Sequence, residues 1–311
     1  MTTPADARAV LIAGPTASGK SALALRLARE LGGVVVNADS MQVYRELRIL
    51  TARPTPEEEA RVPHALYGFV AAAEAYSAGR YAADAARAIG EARAAGRVPI
   101  VVGGTGLYFT VLLQGLSPVP AADPDVRAYW RAQAAARGAA ALHAVLARRD
   151  PAMAARLMPT DTQRIVRALE VLESTGRSLA EWQRLPGAPV LREADTARLL
   201  LLPERKAQGE AIDRRFEAML AAGALEEVRG LLALGLSGEL PVMRALGVAA
   251  LAAHLAGALT LAEAAERAKA QTRQYAKRQL TWLKRNMMSW SRLDTQYVQR
   301  FSAADLPFSE P

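Results

Sequence analysis

The stretch Gly14-Pro15-Thr16-Ala17-Ser18-Gly19-Lys20-Ser21 constrains this chain more than any other. It fits the phosphate-loop pattern Gly-x4-Gly-Lys-Ser, and its flanks fit too. Ala9-Val10-Leu11-Ile12 before it has the apolar run of a buried strand, and Ser21 to Leu31 after it has the spacing of an amphipathic helix. Glycines let backbone N–H groups turn inward around a phosphate. The helix N-terminus adds partial positive charge, Lys20 adds a full one, and Ser21 can reach a Mg²⁺ ion. A phosphate or diphosphate ligand follows from this, but the loop alone does not say which.

The first part of the chain alternates strand and helix. Gly33 to Asn37 and Arg97 to Val102 are further strand candidates; Tyr81 to Ala95 and Thr105 to Gln114 read as helices. Strands separated by helices imply a parallel sheet covered on both faces. Three prolines between Gly115 and Pro124 break the pattern, and Asp125 to about Leu185 is helical throughout. Ala197 to Leu202 then returns as a strand. The remainder reads as helices over Ala207 to Ala222, Leu225 to Leu234, Arg244 to Ala256 and Leu261 to about Asn286. The expected organisation is a phosphate-loop α/β core over 8–120 and 197–311 with C-terminal helices, and a helical insertion domain over 121–196.

Composition excludes several classes of chemistry. With no cysteine there are no disulfides, thiolate metal sites or thiol nucleophiles, and His64, His143 and His254 are too scattered to suggest a metal cluster. No apolar run is long enough to span a membrane, and the polar start predicts no signal peptide. A cytoplasmic, monomeric protein is expected. The formal charge of +8 gains meaning only where it clusters.

It clusters between Arg273 and Arg285, which holds five cations, no acid, and the interleaved aromatics Tyr275 and Trp282. At helical spacing Arg273, Lys277 and Lys284 share one side, Tyr275, Arg278, Trp282 and Arg285 another, and Leu280 and Leu283 can face a core. Such donors suit an RNA backbone and the aromatics suit base stacking, although a solvated basic helix has the same pattern. Asp39 follows the second strand at its carboxyl end, facing the crevice where open parallel sheets bind ligands. A general base, a Mg²⁺ ligand and a helix cap all suit it. Val102-Gly103-Gly104-Thr105 carries no acid where a nucleotide hydrolase holds Mg²⁺ and water. Its glycines admit either a ligand or a tight turn. Gln163 to Arg167 and Asp213-Arg214-Arg215 are weaker signals, suited also to plain surface ion pairs.

Together these segments resemble the tRNA dimethylallyltransferases, also called tRNA isopentenylpyrophosphate transferases, from about Val10 to Trp290. The phosphate loop is joined by Asp39-Ser40-Met41-Gln42-Val43-Tyr44, Thr51-Ala52-Arg53-Pro54 and Gly103-Gly104-Thr105-Gly106-Leu107-Tyr108. Further on come Asp161-Thr162-Gln163-Arg164 and Arg273-Gln274-Tyr275-Ala276-Lys277-Arg278-Gln279 with Thr281-Trp282. The resemblance implies transfer of a dimethylallyl group from dimethylallyl diphosphate to N6 of adenine 37, beside the anticodon of tRNA, with Mg²⁺ as cofactor. It implies that Asp39 is the base and that Thr16, Lys20, Ser21 and Arg215 handle diphosphate and Mg²⁺. Thr105 would touch the reacting groups. It assigns tRNA contacts to Asp39, Ser40, Met41, Gln42, Thr105, Arg127, Gln163, Arg164, Ile165, Val166, Arg167 and Arg244. The same holds for Lys277, Arg278, Gln279, Leu280, Thr281, Trp282, Leu283 and Lys284. The chain departs from the family pattern at Leu50, Ala211 and Val248-Ala249. A phosphate-loop small-molecule kinase, and an RNA-binding protein using its loop as a nucleotide sensor, share the loop and remain alternatives.

Overall fold

The computed structural model of the chain describes residues 9–306. They fall in two compact units, one within Met1–Leu113 and Val190–Pro311, the other Gln114–Pro189.

The first unit is built on a sheet of six described strands: β1 (Ala9–Ala13), β2 (Val34–Asn37), β3 (His64–Ala65), β4 (Pro99–Gly103), β5 (Thr196–Leu202) and β6 (Ser291–Asp294). Their order is β3-β2-β4-β1-β5-β6, and every pairing is parallel. Val10 lies opposite Ile100 on one side and Ala197 on the other. Alternate residues serve two cores. Leu11, Val36, Val101 and Leu200 face one; Val10, Ile12, Val35, Ile100, Leu199 and Leu201 face the other. A sheet buried on both faces needs near-continuous apolar strands, as in Val34-Val35-Val36.

Helix α1 (Lys20–Leu31) packs Leu23, Ala24, Leu27 and Ala28 onto the second core. Also in this unit are α2 (Pro56–Arg61), α3 (Ala78–Ala94) and α4 (Gly106–Gln114). The other unit holds α5 (Pro124–Arg149), α6 (Pro151–Ala154), α7 (Thr162–Thr175) and α8 (Leu179–Trp182). They close on Trp130, Leu142, Leu146, Ile165 and Leu169, and α5 bends at Gly138, whose φ is 76°. Back in the first unit, α9 (Arg205–Ala221), α10 (Ala224–Ala233), α11 (Val248–Leu255) and α12 (Leu261–Asn286) complete the helices.

The expected strands and long helices are present, with ends shifted by up to three residues, as at α3, which starts at Ala78 where the pattern begins at Tyr81. One boundary differs more. The sequence reads helix from Arg244 onward, whereas Pro241–Arg244 is a 3₁₀ turn and α11 starts at Val248, behind Gly247 at φ 93°. A glycine in the left-handed region cannot continue a helix, so Arg244 stands outside α11. Val248 packs inward and Ala249 is exposed.

Candidate active site

Three strands end at one edge of the sheet and hand their chain to functional loops. From β1 comes the phosphate loop, from β2 Asp39, and from β4 Thr105.

The phosphate loop is shaped to hold an anion. Ala17 sits at φ 61° and Gly19 at φ 79°, left-handed residues that turn successive peptide N–H groups the same way. Helix α1 opens with no side-chain cap and no acid in its first turn. By contrast α2 and α12 open with capping boxes, Thr55 with Glu58 and Thr260 with Glu263. The first N–H groups of α1 therefore lack a side-chain acceptor, and an anion there gains both hydrogen bonds and the helix dipole.

Lys20 Nζ donates to Pro15 O at 3.2 Å. Burial pulls its pKa down to about 8; the Asp39 carboxylate opposes this and Arg215 adds to it. Arg215, on α9, is likewise depressed by burial and supported by Asp39. One acid thus acts on two partly desolvated cations, an arrangement that favours a further negative charge. Ala17, Ser18, Gly19, Lys20, Ser21 and Arg215 line a cavity of about 610 Å³. Its other lining includes Arg48, Ile49, Ala52, Arg53, Thr55 and Pro56 with the carboxylates Glu57 and Glu58, and Ala218, Met219 and Ala222 add apolar surface from the end of α9. Cationic groups beside apolar ones suit a ligand with an anionic head and a short hydrocarbon.

Asp39 is fixed by its neighbours. Buried Asn37 accepts from Asp39 N–H at 2.8 Å and donates to Asp39 O at 2.9 Å. One Asp39 carboxylate oxygen accepts from Met41 N–H at 2.9 Å. Its charge reaches Tyr67 and Tyr108: burial, reinforced by Asp39, raises the pKa of both phenols. Tyr108 stacks on Tyr81 with centroids 3.7 Å apart. Thr105 Oγ1 accepts from Ser40 N–H at 3.0 Å, tying the β4 turn to the Asp39 loop.

The glycines that end and follow β4 serve close packing by the protein itself. A Cβ at Gly103 would lie 2.0 Å from Ala38 O, at Gly104 2.3 Å from Gln279 Nε2, and at Gly106 2.0 Å from the Trp282 ring. Helix α12 thus packs down on this turn.

The other sequence-derived site residues divide by exposure. On α12, Lys277, Arg278, Thr281 and Lys284 are exposed, while Trp282 packs on Gly106 and Leu280 is half-buried. Leu283 is buried in the core, so its side chain offers no surface to RNA. Gln279 is buried as well, and its amide bonds Thr16 and Gly104. Spacing explains this, because Ala276, Gln279 and Leu283 form the buried stripe of α12. Both N–H groups of the Gln42 amide are taken by Thr51 O and Ala52 O, at 2.9 and 2.8 Å. Arg273 is paired with Asp213, and Arg244, exposed, with Glu239 at 2.9 Å.

In the helical unit Arg127, Gln163 and Arg164 are exposed, and Arg164 pairs with Asp161 at 2.9 Å. Ile165 and Val166 are buried, so their side chains belong to that unit's core and not to a surface. Arg167 lies 3.6 Å from buried Glu170.

Sequence reasoning passed over three residues. Asn37 ends an otherwise apolar strand, and Gln208 sits on the α9 stripe with Ile212 and Phe216. A polar residue on an apolar stripe was the available signal in both cases. Glu227 gave no such signal. From α10 it accepts the N–H groups of Arg48, Ile49 and Leu50 at 2.6, 2.8 and 2.8 Å, and so holds the cavity lining at Arg48 and Ile49. Glu227→Ala is expected to lower stability by about 1–3 kcal/mol, because three donors lose a charged acceptor. Urea unfolding measures this, and an unchanged midpoint would show that water replaces the carboxylate without cost.

A parallel sheet, a phosphate loop on an inner strand, and an acid and a threonine at neighbouring strand ends define the phosphate-loop α/β class. Comparison with known proteins narrows it. The IPP transferase family profile matches residues 42–286, and an isopentenyl transferase profile matches residues 7–64. A tRNA dimethylallyltransferase of Parvibaculum lavamentivorans is 54% identical over 301 residues, 97% of this chain and 95% of the relative. One from Nitrobacter hamburgensis is 60% identical over 282 residues, 90% and 89% of the two chains. The solved tRNA isopentenylpyrophosphate transferase of Bacillus halodurans has a TM-score of 0.67 at 33% identity, covering 94% of each chain. A eukaryotic dimethylallyltransferase solved acting on tRNA has a TM-score of 0.80 at 29% identity, covering 93% of this chain and 74% of its own. The chain belongs to the tRNA dimethylallyltransferase family of IPP transferases.

Proposed function

We propose that this protein transfers a dimethylallyl group from dimethylallyl diphosphate to N6 of adenine 37, next to the anticodon of tRNA, and releases diphosphate. The observation that carries the reading is the cavity that Lys20, Arg215 and the uncapped start of α1 line together with apolar side chains, with the Asp39 charge near enough to act on both cations. The relatives' names support the substrate class.

In the reaction the C1–O bond of the allylic diphosphate breaks as C1 bonds to N6, and one N6 proton leaves. An exocyclic amine is a weak nucleophile, so most catalysis comes from stabilising the departing diphosphate. Lys20, Arg215, Thr16 and the first N–H groups of α1 surround it. Asp39 orients the amine and takes its proton as the bond forms. Thr105 holds the turn at the reacting groups. The absence of an acid after β4 agrees with a reaction that activates no water. The adenine must leave its stack, at a cost of a few kcal/mol that contacts to the rest of the loop offset.

Mg²⁺ fits this donor set as an ion carried by the diphosphate. The described residues include no cluster of three acidic or imidazole side chains that could hold a metal ion, while Ser21 lines the cavity beside the loop. Mg²⁺ commonly takes few protein ligands and completes its shell with phosphate oxygens and water. When bound, it would neutralise charge on the leaving group, held by Ser21. Among the described residues no helix is long and apolar enough to cross a membrane; we place the enzyme in the cytoplasm with its tRNA.

Incubation with dimethylallyl diphosphate and an anticodon stem-loop, compared with ATP and small acceptors, tests the reading. Prenylated RNA without acceptor-dependent ATP hydrolysis is expected. ATP consumption coupled to a small acceptor would favour a kinase. For the basic helix, Lys277→Ala and Arg278→Ala should each weaken tRNA binding and reduce its log–log salt slope by about 0.7–0.9 per lost phosphate contact. Slopes equal to the wild-type value would mean that this face of α12 only meets solvent.

A further inference from the structure

Gln279 lies within the basic stretch of α12, but its side chain joins two loops of the site. Its Oε1 accepts from Thr16 N–H at 3.0 Å and from Thr16 Oγ1 at 3.3 Å, and its Nε2 donates to Gly104 O at 2.9 Å. From α9, Gln208 Nε2 donates to Thr16 O at 2.8 Å. The N–H and the C=O of Thr16 are therefore each held by a glutamine from a different helix. Both glutamines are buried.

We propose that Gln279 is a positioning residue of the diphosphate site, clamping Thr16 together with Gln208 so that the phosphate loop is shaped before its ligand arrives. The inference rests on the reading that this loop takes the diphosphate. A phosphate loop needs its peptide planes turned inward, and here the next residue, Ala17, sits at φ 61°, a conformation disfavoured for any residue with a Cβ. Support from outside the loop must hold it. Fixing the peptides on both sides of Thr16 sets the direction from which the chain enters Ala17. The contact to Gly104 extends the clamp to the β4 turn, whose Thr105 holds the Asp39 loop. Preorganised donors cost no rearrangement at the moment of binding or reaction, which gives the clamp its value. The 3.3 Å contact from Thr16 Oγ1 is long, so the hydroxyl is free to turn toward a diphosphate oxygen. Gln279 thus differs from its neighbours Lys277, Arg278 and Thr281, which are exposed.

The full-length protein tests this by calorimetric titration with magnesium pyrophosphate and, separately, with an anticodon stem-loop RNA. Gln279→Met keeps the length and burial of the side chain but loses its hydrogen bonds. The pyrophosphate dissociation constant is expected to rise about tenfold for Gln279→Met and about fivefold for Gln208→Met, with RNA affinity within twofold of wild type for both. Gln208→Met carries the result alone if Gln279→Met does not fold. Because both side chains act on the same residue, through the peptides on either side of it, the losses in the double variant should not add. A wild-type protein that binds no pyrophosphate would overturn the diphosphate reading and this proposal with it. Wild-type binding with unchanged pyrophosphate affinity in the folded variants overturns the clamp alone. So does a Gln279→Met protein that loses RNA affinity while keeping pyrophosphate.

Discussion

Replacing Asp39 with alanine is expected to slow prenyl transfer at saturating substrates by about 10²–10⁴-fold, the usual worth of a general base. Affinity for tRNA should change far less. The expectation follows from how the residue is held. Asn37 fixes its backbone on both sides, and Met41 N–H anchors one carboxylate oxygen. Such a residue can also be a plain turn cap, so alanine alone does not separate the roles. Asp39→Asn does. Its amide oxygen can still accept from Met41 N–H, but it has no basic site for the N6 proton. A base predicts that Asn is nearly as slow as Ala in single-turnover reactions; a cap predicts that Asn restores most of the rate. The substitution also has an electrostatic consequence. The Asp39 charge supports the protonated forms of Lys20 and Arg215. Removing it should lower the Lys20 pKa further, so the comparison belongs at or below neutral pH.

What could be read from the sequence was whatever a local rule encodes. The phosphate loop, the apolar strands flanking it and the Pro-rich break after Gly115 each follow from residue type and period. The edge strands did not follow. β3 has only two residues, His64 and Ala65, and β6 is largely exposed, so neither carries a hydrophobic pattern. Each is a strand because a neighbour's backbone needs a partner, which is a tertiary fact. The site divides in the same way. Lys20 and Asp39 stand out because charge on a motif or at a strand end is conspicuous, whereas Arg215, in mid-helix, reads from sequence as a surface residue and enters only through the resemblance. Gln279 enters the tRNA set only through the resemblance, which carries over the whole stretch Lys277 to Lys284; its spacing from Ala276 and Leu283 puts its side chain on the buried stripe of α12. Glu227 lies 177 residues or more from the backbone it holds, and no window along the chain connects the two.

Lys20→Ala should abolish prenyl transfer in ordinary assays. Losing one preorganised charge at a developing anion typically costs about 10²–10³ in rate. The stronger test uses pH, because burial sets the Lys20 pKa near 8 and so within experimental reach. The sign follows from linkage. A bound diphosphate stabilises the ammonium form and raises its pKa. Below pH 8 the free protein already carries the proton and binding is indifferent to pH through Lys20. Above pH 8 the free protein must take up a proton in order to bind, so affinity for dimethylallyl diphosphate should fall by up to about tenfold per pH unit. Calorimetry in buffers of different ionisation enthalpy should register that uptake as a proton absorbed near pH 8.5 and almost none near pH 7. Lys20→Arg keeps a charge that does not titrate in this range, so the slope and the proton uptake should both vanish even if the rate is poor. Asp39→Asn, which removes the charge supporting the ammonium, should move the onset of the fall to lower pH. A wild-type affinity that stays level to pH 9.5, with no proton uptake, would mean that Lys20 remains charged throughout. Burial of its ammonium would then play no part in diphosphate binding, and the selectivity of the loop would rest on the N–H groups of α1 and on Arg215.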